Sequence, residues 1–249
     1  MQTEENALEL ALRLAATEPA HRPEFYRLLL ESTVYVLGSS DQIDEGQATL
    51  KAGAKVALTN WLKPDGSRVI PFFSSLSALQ RAIESDEHYI ALPAKTFFAM
   101  TRGSELILNP RSDYGKEFTP PEVEALLAEG VNRLPTQRVV KKDTEVLLGQ
   151  PSNYPAAMVA SLATLLARHS NVKAAYLALM FDSTVDEKPH LTVGIEGEGD
   201  FENVLREAGS VAGDLAPEGE PVDLVRVVRG EAGIGKYFIE AVKPFYKRD

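Results

Sequence analysis

A β-hairpin is encoded by the sequence WLKPDGSRVIPFF at residues 61–73. Its centre, Pro64-Asp65-Gly66, is a turn signal, because proline presets the backbone φ angle and glycine accepts a positive φ. We therefore expect one strand before the turn, over 55–62, and one after it. Adjacent residues of a strand face opposite sides of the sheet, so Phe72 and Phe73 cannot both point into one core. Either the following helix buries the second ring, or that ring lies on an exposed surface.

The other clear local signal in the first half is Thr119-Pro120-Pro121-Glu122. Thr119 can cap a helix, Pro120 suits the first helical position and Glu122 can complete a capping box, while Gly130 ends the helix. Apolar periodicity predicts the remaining elements. They are helices at 4–17, from 23 onward, at 75–84 and at 95–102, strands at 33–37, 89–92 and 105–109, and a surface loop at 38–54.

The second half has a more regular order of elements. Its patterns predict strands at 144–149, 174–181, 191–196 and 222–228, and helices at 155–169, at 200–208 and after Gly233. A β-α-β-β-α-β order with a terminal helix is that of a ferredoxin-like sheet. A polar segment at 130–143 separates two halves of ordinary domain size. We therefore predict an α+β protein with a mixed N-terminal domain at 1–135, which holds the hairpin, and a ferredoxin-like C-terminal domain at 136–249.

Composition limits the classes of partner. The formal net charge is −10, so we expect neither nucleic acid nor an anionic membrane as a partner. The chain has no cysteine, which excludes disulfides and thiolate chemistry and agrees with a reducing compartment. No secretory signal and no apolar run of about 20 residues is found, so we expect a cytoplasmic protein. The basic tail at 243–248 is interpreted as a solvated helix end.

The glycine-rich segment 230–237 nearly matches a phosphate-binding loop. Tyr237 stands where that loop needs a Ser or Thr hydroxyl, and no later strand can carry the magnesium-binding acid, so we do not expect nucleotide hydrolysis. Free backbone N–H groups at the start of a helix leave a weak anion-binding candidate at Gly233, Gly235 and Lys236. The alternative is a plain strand-to-helix turn. No cofactor is expected.

Residues for catalysis or metal binding are scattered along the chain. The four histidines are far apart in sequence, so no local metal-ligand spacing exists and we expect no metal. The sequence also lacks a Gly-x-Ser-x-Gly nucleophile motif. We therefore name no catalytic residue.

Aromatic residues with neighbouring charges form the candidate partner-binding set. Two segments contribute, the hairpin and the turn before Thr119, and the candidates are Trp61, Phe72, Phe73, Tyr114, Lys116, Glu117 and Phe118. Trp61 is the only tryptophan, and aromatic anchors are frequent in protein contacts. The alternatives are that the rings form core and that Lys116 and Glu117 form an ordinary ion pair in a loop.

The same segments resemble the SseB family, the bacterial enhanced serine-sensitivity proteins. The resemblance extends over nearly the whole chain, through ATEPAHRP at 16–23, LLESTV at 29–34, DGS at 65–67, VIPFF at 69–73, GKEF at 115–118, GIE at 194–196, GSVA at 209–212, GI at 233–234 and PFY at 244–246. It implies an N-terminal and a C-terminal SseB domain. It also implies a link to serine sensitivity, and it supplies no catalytic residue.

Three functional hypotheses follow. The first is a non-enzymatic cytoplasmic regulatory or adaptor protein that contacts an unidentified protein partner. The second is an amino-acid sensor, by analogy between the ferredoxin-like order and ligand-binding regulatory domains. The third is an enzyme whose site is assembled from distant residues. Whether the chain forms a homo-oligomer stays open.

Overall fold

The structure, a computed structural model, describes residues 5–40, 56–133, 146–184, 186–230 and 233–248. The chain divides into two compact units, and each contains its own mixed sheet. The predicted α+β two-domain class is confirmed. The first unit comprises Met1–Thr17 and Glu24–Asn132, and the second comprises Glu18–Pro23 and Arg133–Asp249. The predicted loop beyond Ser40 and most of the predicted boundary segment lie outside the described residues.

The sheet of the first unit has seven strands among the described residues. Their order is β2-β1-β4-β6-β7, with β5 also paired to β1 and β3 also paired to β4. Strands β4 and β6 are parallel neighbours. The strands are β1 (Thr33–Ser40), β2 (Val56–Leu58), β3 (Trp61–Leu62), β4 (Arg68–Phe73), β5 (Tyr89–Pro93), β6 (Leu106–Leu108) and β7 (Lys116–Phe118).

The predicted hairpin is present, since β3 pairs antiparallel with β4. The strand predicted over 55–62 is divided, however, because β2 pairs with β1 and only β3 pairs with β4. Strand β1 also continues through 38–40, where the composition predicts a loop. Gly38 makes this pairing possible, because a Cβ at that position would lie 2.2 Å from the carbonyl oxygen of Ala57.

Helices of the first unit cover the inner face of its sheet. Side chains from α1, α2, α4 and α5 pack with strand residues such as Val36, Ile70 and Phe72 in the main core. The predicted capping box of Thr119 and Glu122 is confirmed. The helices are α1 (Ala7–Thr17), α2 (Arg22–Glu31), α3 (Leu76–Ala82), α4 (Ala94–Met100) and α5 (Pro120–Glu129).

The outer face of this sheet carries a smaller core. There α3 packs against Leu37 and Phe73, and Trp61 lies at the border of the cluster. Phe72 and Phe73 thus enter two different cores, as strand alternation predicts.

The second unit has a sheet in which β11, β10, β9 and β12 are neighbours in that order, with β8 also paired to β9. Its strands are β8 (Leu147–Gly149), β9 (Val172–Phe181), β10 (His190–Gly197), β11 (Val222–Val227) and β12 (Tyr246–Lys247). Its helices are α6 (Ala156–Ala167), α7 (Glu202–Leu215) and α8 (Ile234–Ala241).

The predicted order of elements in this unit is present, but the ferredoxin-like arrangement is wrong. A split βαβ unit leaves a third strand between the two that a helix joins. Here α7 joins β10 to β11, and these two strands are direct parallel neighbours. In addition, β8 pairs antiparallel with the strand that follows it, β9. The order of elements along the chain does not determine which strands pair, and this is why the prediction failed.

The second unit also has two covered sheet faces. Helices α6 and α7 pack on the inner face with residues such as Val193 and Ile195. Helix α8 covers the outer face with Phe238, which is fully buried. The ring of Phe238 approaches the backbone of Gly194 so closely that a Cβ there would lie 2.8 Å from it.

The basic tail is ordered and is not a solvated helix end. Tyr246 and Lys247 form β12 against β9. The Arg248 guanidinium donates hydrogen bonds to the carbonyl oxygens of Ala167 at 3.1 Å and His169 at 2.7 Å. These carbonyls lie at the C-terminus of α6, where a cation is favourable.

Residues 18–23 complete the second unit from a distant part of the sequence. Ala20, in a short 3-10 helix (Pro19–His21), is fully buried in the inner core. The Glu18 carboxylate accepts a hydrogen bond from the Ser161 hydroxyl at 2.8 Å. Arg22 forms an ion pair with the nearly buried Asp214 at 2.5 Å. The second unit therefore depends on six residues that a single boundary near 135 assigns to the first.

Candidate protein-contact surface

Among the described residues, one short helix covers only part of the outer face of the first sheet. Strand pairing places Pro71, Ile107 and Glu117 in one row on this face, and Trp61 lies opposite Val69 on the same face. Helix α3 has only seven residues, and it packs at the end of the face that carries Phe73. Trp61 and Ile107 remain partly exposed. We call Trp61, Lys63, Glu105, Ile107 and Glu117 the open patch.

Three residues of the predicted partner-binding set are buried and cannot contact a partner. Phe72 and Phe118 lie in the inner core, at 0% and 1% exposure. Phe73 is also at 0%, beneath α3 on the outer face. This corrects the prediction for the three rings, because each of them points to a part of the sheet that a helix covers.

Trp61 is held in place by aromatic and cationic contacts. Its ring lies edge-on to Phe73, with 6.4 Å between ring centroids. The guanidinium of Arg111 lies over the indole at 5.3 Å from its centroid. The same guanidinium donates a hydrogen bond to the carbonyl oxygen of Ala82, the last residue of α3, at 3.0 Å. Arg111 has a left-handed backbone (φ 64°), which is uncommon for a residue with a side chain.

Charged side chains line the other side of the open patch. The Lys63 ammonium is 2.7 Å from carboxylate oxygens of both Glu105 and Glu117. The ion pairs with Glu105 and then with Glu117 raise the pKa of Lys63 above its usual value. The structure thus brings Glu117 next to the hairpin, so that residues from the two predicted segments lie on one surface.

Lys116 and Tyr114 do not join the open patch. Lys116 alternates to the inner side, where its ammonium lies 4.8 Å from the centroid of the Phe118 ring and 2.9 Å from a Glu122 oxygen. The predicted pairing of Lys116 with Glu117 as a loop ion pair is therefore wrong, and the segment is strand β7. Tyr114 is exposed, and none of its contacts within the described residues joins it to the open patch.

A second polar group, which sequence reasoning missed, lies where the parallel strands β4 and β6 end. The Glu9 carboxylate accepts hydrogen bonds from the hydroxyls of Ser74 at 2.9 Å and Ser75 at 2.7 Å. The buried Asn109 side chain accepts from the Ser74 backbone N–H and donates to its hydroxyl, at 2.9 Å and 2.8 Å. Burial would raise the pKa of Glu9, but hydrogen bonds from Asn6, Ser75 and Ser74 outweigh it and lower that pKa.

The contacts of Glu9, Ser74, Ser75 and Asn109 have a structural role. Asn6 and Glu9 also exchange hydrogen bonds as a capping box at the start of α1. The Asn-x-x-Glu spacing was a readable signal for that cap. The hydrogen bond from Ser74 to Glu9 joins residues 65 positions apart, and no local sequence pattern predicts it.

The weak anion-binding candidate remains a prediction. Gly233 precedes α8 with φ 100° and ψ −151°, a conformation that suits glycine. The backbone N–H of Lys236 donates to the carbonyl of Gly233 at 3.1 Å. Residues 231 and 232 lie outside the described part of the chain. Within that part, no group of three or more His, Asp or Glu side chains is arranged to hold a metal ion.

None of the described helices is both long and apolar enough to cross a membrane.

Comparison with known proteins gives matches over both units. The family model for the SseB protein N-terminal domain matches residues 8–125, and that for the SseB protein C-terminal domain matches 140–248. Protein SseB of Escherichia coli (strain K12) and Protein SseB of Shigella flexneri are each 42% identical over 248 residues, covering 100% of this chain and 94% of the relative. No solved structure gives a significant match.

Proposed function

Because this chain belongs to the SseB family, we propose that it is a non-enzymatic regulatory or adaptor protein of the cytoplasm. It acts by binding another protein through the open patch. Its effect on serine sensitivity, which the family name implies, follows from that contact. The relatives carry no enzymatic name, in agreement with this proposal.

The observation that carries the proposal is that the described residues cover the outer sheet face incompletely. An apolar pair, Trp61 and Ile107, is partly exposed beside a fixed group of charges. Protein interfaces combine an apolar centre that contains aromatic residues with a polar rim. The rigid sheet beneath the patch also lowers the entropy cost of binding.

The amino-acid sensor is not proposed. Its argument was the likeness of the second unit to ferredoxin-like regulatory domains, and the pairing of β10 with β11 contradicts that arrangement.

Affinity capture with the tagged full chain from Escherichia coli extract tests the proposal. We expect Trp61→Ala and Glu117→Arg to lower the recovery of a specific partner about tenfold, because central aromatic residues dominate binding energy. Tyr154→Ala is the matched control, since Tyr154 is an exposed aromatic residue of the second unit. Melting curves confirm that each variant is folded.

Growth of Escherichia coli without its own SseB, on minimal medium with added serine, links the contact to the phenotype. The wild-type chain and Tyr154→Ala should change growth equally, and Glu117→Arg should not. If folded Trp61→Ala and Glu117→Arg keep the partner and the growth effect, the open patch is not the contact surface.

A further inference from the structure

The loop between β6 and β7 has a constrained backbone. Asn109 and Arg111 have φ values of 49° and 64°, and no other residue in the described part of the chain except glycine has a positive φ. This conformation is uncommon for a residue with a side chain, and it persists only where surrounding contacts hold it. The side chain of Asn109 is bonded to Ser74 at one end of the loop. At the other end, a Cβ on Gly115 would lie 2.8 Å from the carbonyl oxygen of Leu108. The loop is therefore fixed at both ends.

This loop brings the Arg111 guanidinium to Trp61. The guanidinium carbon lies 5.3 Å from the centroid of the indole, within the range of a cation–π contact. The same group donates a hydrogen bond to the Ala82 carbonyl oxygen at 3.0 Å, so the loop, β3 and the end of α3 meet at one side chain. The ring of Phe73 lies edge-on to the indole. Trp61 is thus held by two contacts although it is partly exposed.

The ion pair between Arg111 and Glu84 does not account for this arrangement. The two charged groups are 3.2 Å apart, but their side chains are 56% and 87% exposed. An ion pair in water contributes little to stability, because solvent screens the attraction and both side chains lose freedom. The contacts of Arg111 with Trp61 and Ala82 remain as the reason for the placement of its side chain.

We infer that Arg111 is a positioning residue of the open patch, which fixes the orientation of the Trp61 indole before a partner binds. This inference rests on the proposed function and concerns the same surface. A side chain that is already fixed loses little conformational freedom on binding, so more of the contact energy remains as affinity. Backbone strain concentrates at functional sites, and here a residue in the left-handed region is the one whose side chain reaches Trp61.

Fluorescence of the free full chain tests the positioning role, because Trp61 is the only tryptophan. Anisotropy decay on the nanosecond timescale measures the motion of the indole, and acrylamide quenching measures its contact with solvent. We expect Arg111→Ala to add a fast component of indole motion and to raise the quenching constant about twofold, because exposed side chains reorient within picoseconds to nanoseconds. Arg111→Lys should be intermediate, since it keeps the charge without the planar guanidinium.

Arg68→Ala is the matched control. Arg68 is exposed and lies in the same hairpin, opposite Leu62, so its side chain points to the other side of the sheet from Trp61. This variant loses the same charge and should leave the motion of the indole unchanged. Arg111→Gly covers the case in which Arg111→Ala disturbs the loop, since glycine accepts the left-handed backbone. Melting curves confirm that each variant is folded.

Recovery of the partner in the affinity capture adds a functional readout. We expect Arg111→Ala to lower this recovery about threefold to tenfold, because the indole must then be ordered on binding. Arg68→Ala should leave the recovery unchanged. In the Trp61→Ala background, Arg111→Ala should cause no further loss, because a positioning residue acts through the side chain that it holds.

The inference is overturned if the indole is as immobile in Arg111→Ala and Arg111→Gly as in wild type, or if Arg68→Ala releases it equally. It is also overturned if Arg111→Ala added to Trp61→Ala lowers the recovery further, since Arg111 would then contact the partner itself. Retention of the partner by folded Trp61→Ala overturns the proposed function instead, and the measurement on the free chain then still decides whether Arg111 holds the indole.

Discussion

The two sheets bury their inner faces alike, but they differ in how their outer faces are covered. In the second unit, α8 places the fully buried Phe238 against Gly194 and Tyr176. In the first unit, α3 covers Phe73 and leaves Trp61 partly exposed. The missing Cβ of Gly194 permits the close packing in the second unit, since the ring of Phe238 occupies the space where a side chain at position 194 would lie. A closed face stabilises its unit, whereas an open one has apolar area available for a partner.

The largest expected effect concerns the two outer faces directly. Phe238→Ala should lower the free energy of unfolding of its unit by about 3–5 kcal/mol, because it removes a fully buried ring and leaves a cavity. Trp61→Ala should cost less, about 1–2 kcal/mol, because the indole is already partly in contact with water. Urea denaturation followed by circular dichroism measures both. Equal losses would mean that the two faces are equally closed.

Residues 18–23 sharpen the comparison, because they belong to the second unit, whereas the first unit contains no segment from beyond Asn132. Ala20→Leu should destabilise the second unit by about 1–3 kcal/mol, because extra carbons in a filled core force strain. Ala16→Leu is the matched control at an exposed helical position. Circular dichroism should register the loss, while Trp61 fluorescence, which reports on the first unit, should keep its midpoint. A shift of both signals by the same amount would contradict independent units.

Each unit also contains a carboxylate that accepts hydrogen bonds from hydroxyl groups, and Glu9 is the one in the first unit. Its lowered pKa means that its contribution to stability is present above its ordinary value of 4.5 and is lost as the pH falls through the folded-state value. Glu9→Gln should cost about 1–2 kcal/mol at pH 7. The variant should also show a flatter loss of stability below pH 4.5. Unfolding midpoints measured by Trp61 fluorescence between pH 3 and pH 7 (roughly the range in which carboxyl groups titrate) provide the check.

The smallest expected effect concerns a hydrogen bond to Glu196, the corresponding carboxylate of the second unit. Tyr176 donates a hydrogen bond to it at 3.0 Å, and burial followed by that bond raises the pKa of Tyr176 above 10. Because the pKa of the Tyr176 phenol is raised in the folded state, its contribution to stability is complete below pH 10. That contribution is lost as the pH rises through the folded-state pKa. Tyr176→Phe should cost about 1 kcal/mol near neutral pH. Between pH 9 and pH 11.5 (about the phenol titration range) it should unfold with a weaker pH dependence than wild type.

Local signals predicted local structure well. The Pro64-Asp65-Gly66 turn and the Thr119 capping box need only neighbours in sequence, and both are present. Alternation along one strand likewise separated Phe72 from Phe73. Physical rules that act over two to five residues can be read without knowledge of the rest of the chain.

Contacts between distant segments were not predictable in the same way. The pairing of β10 with β11, the bond from Ser74 to Glu9 and the burial of Ala20 each join residues more than 30 positions apart. The candidate site shows both cases. Trp61 and Glu117 were found as an aromatic and a charged residue, whereas Lys63, Glu105 and Arg111 gained their roles only when β3, β6 and β7 came together in one sheet.

The early position of residues 18–23 has a consequence for synthesis on the ribosome. Glu18 is translated roughly 140 residues before Ser161, its hydrogen-bond partner in the second unit. At ~5–20 residues per second, this segment waits roughly 7–30 s for the groups that bury it. Throughout that interval Ala20 and Arg22 are without the second-unit groups that they contact in the folded chain, so this unit can be completed only by a segment made near the beginning of translation.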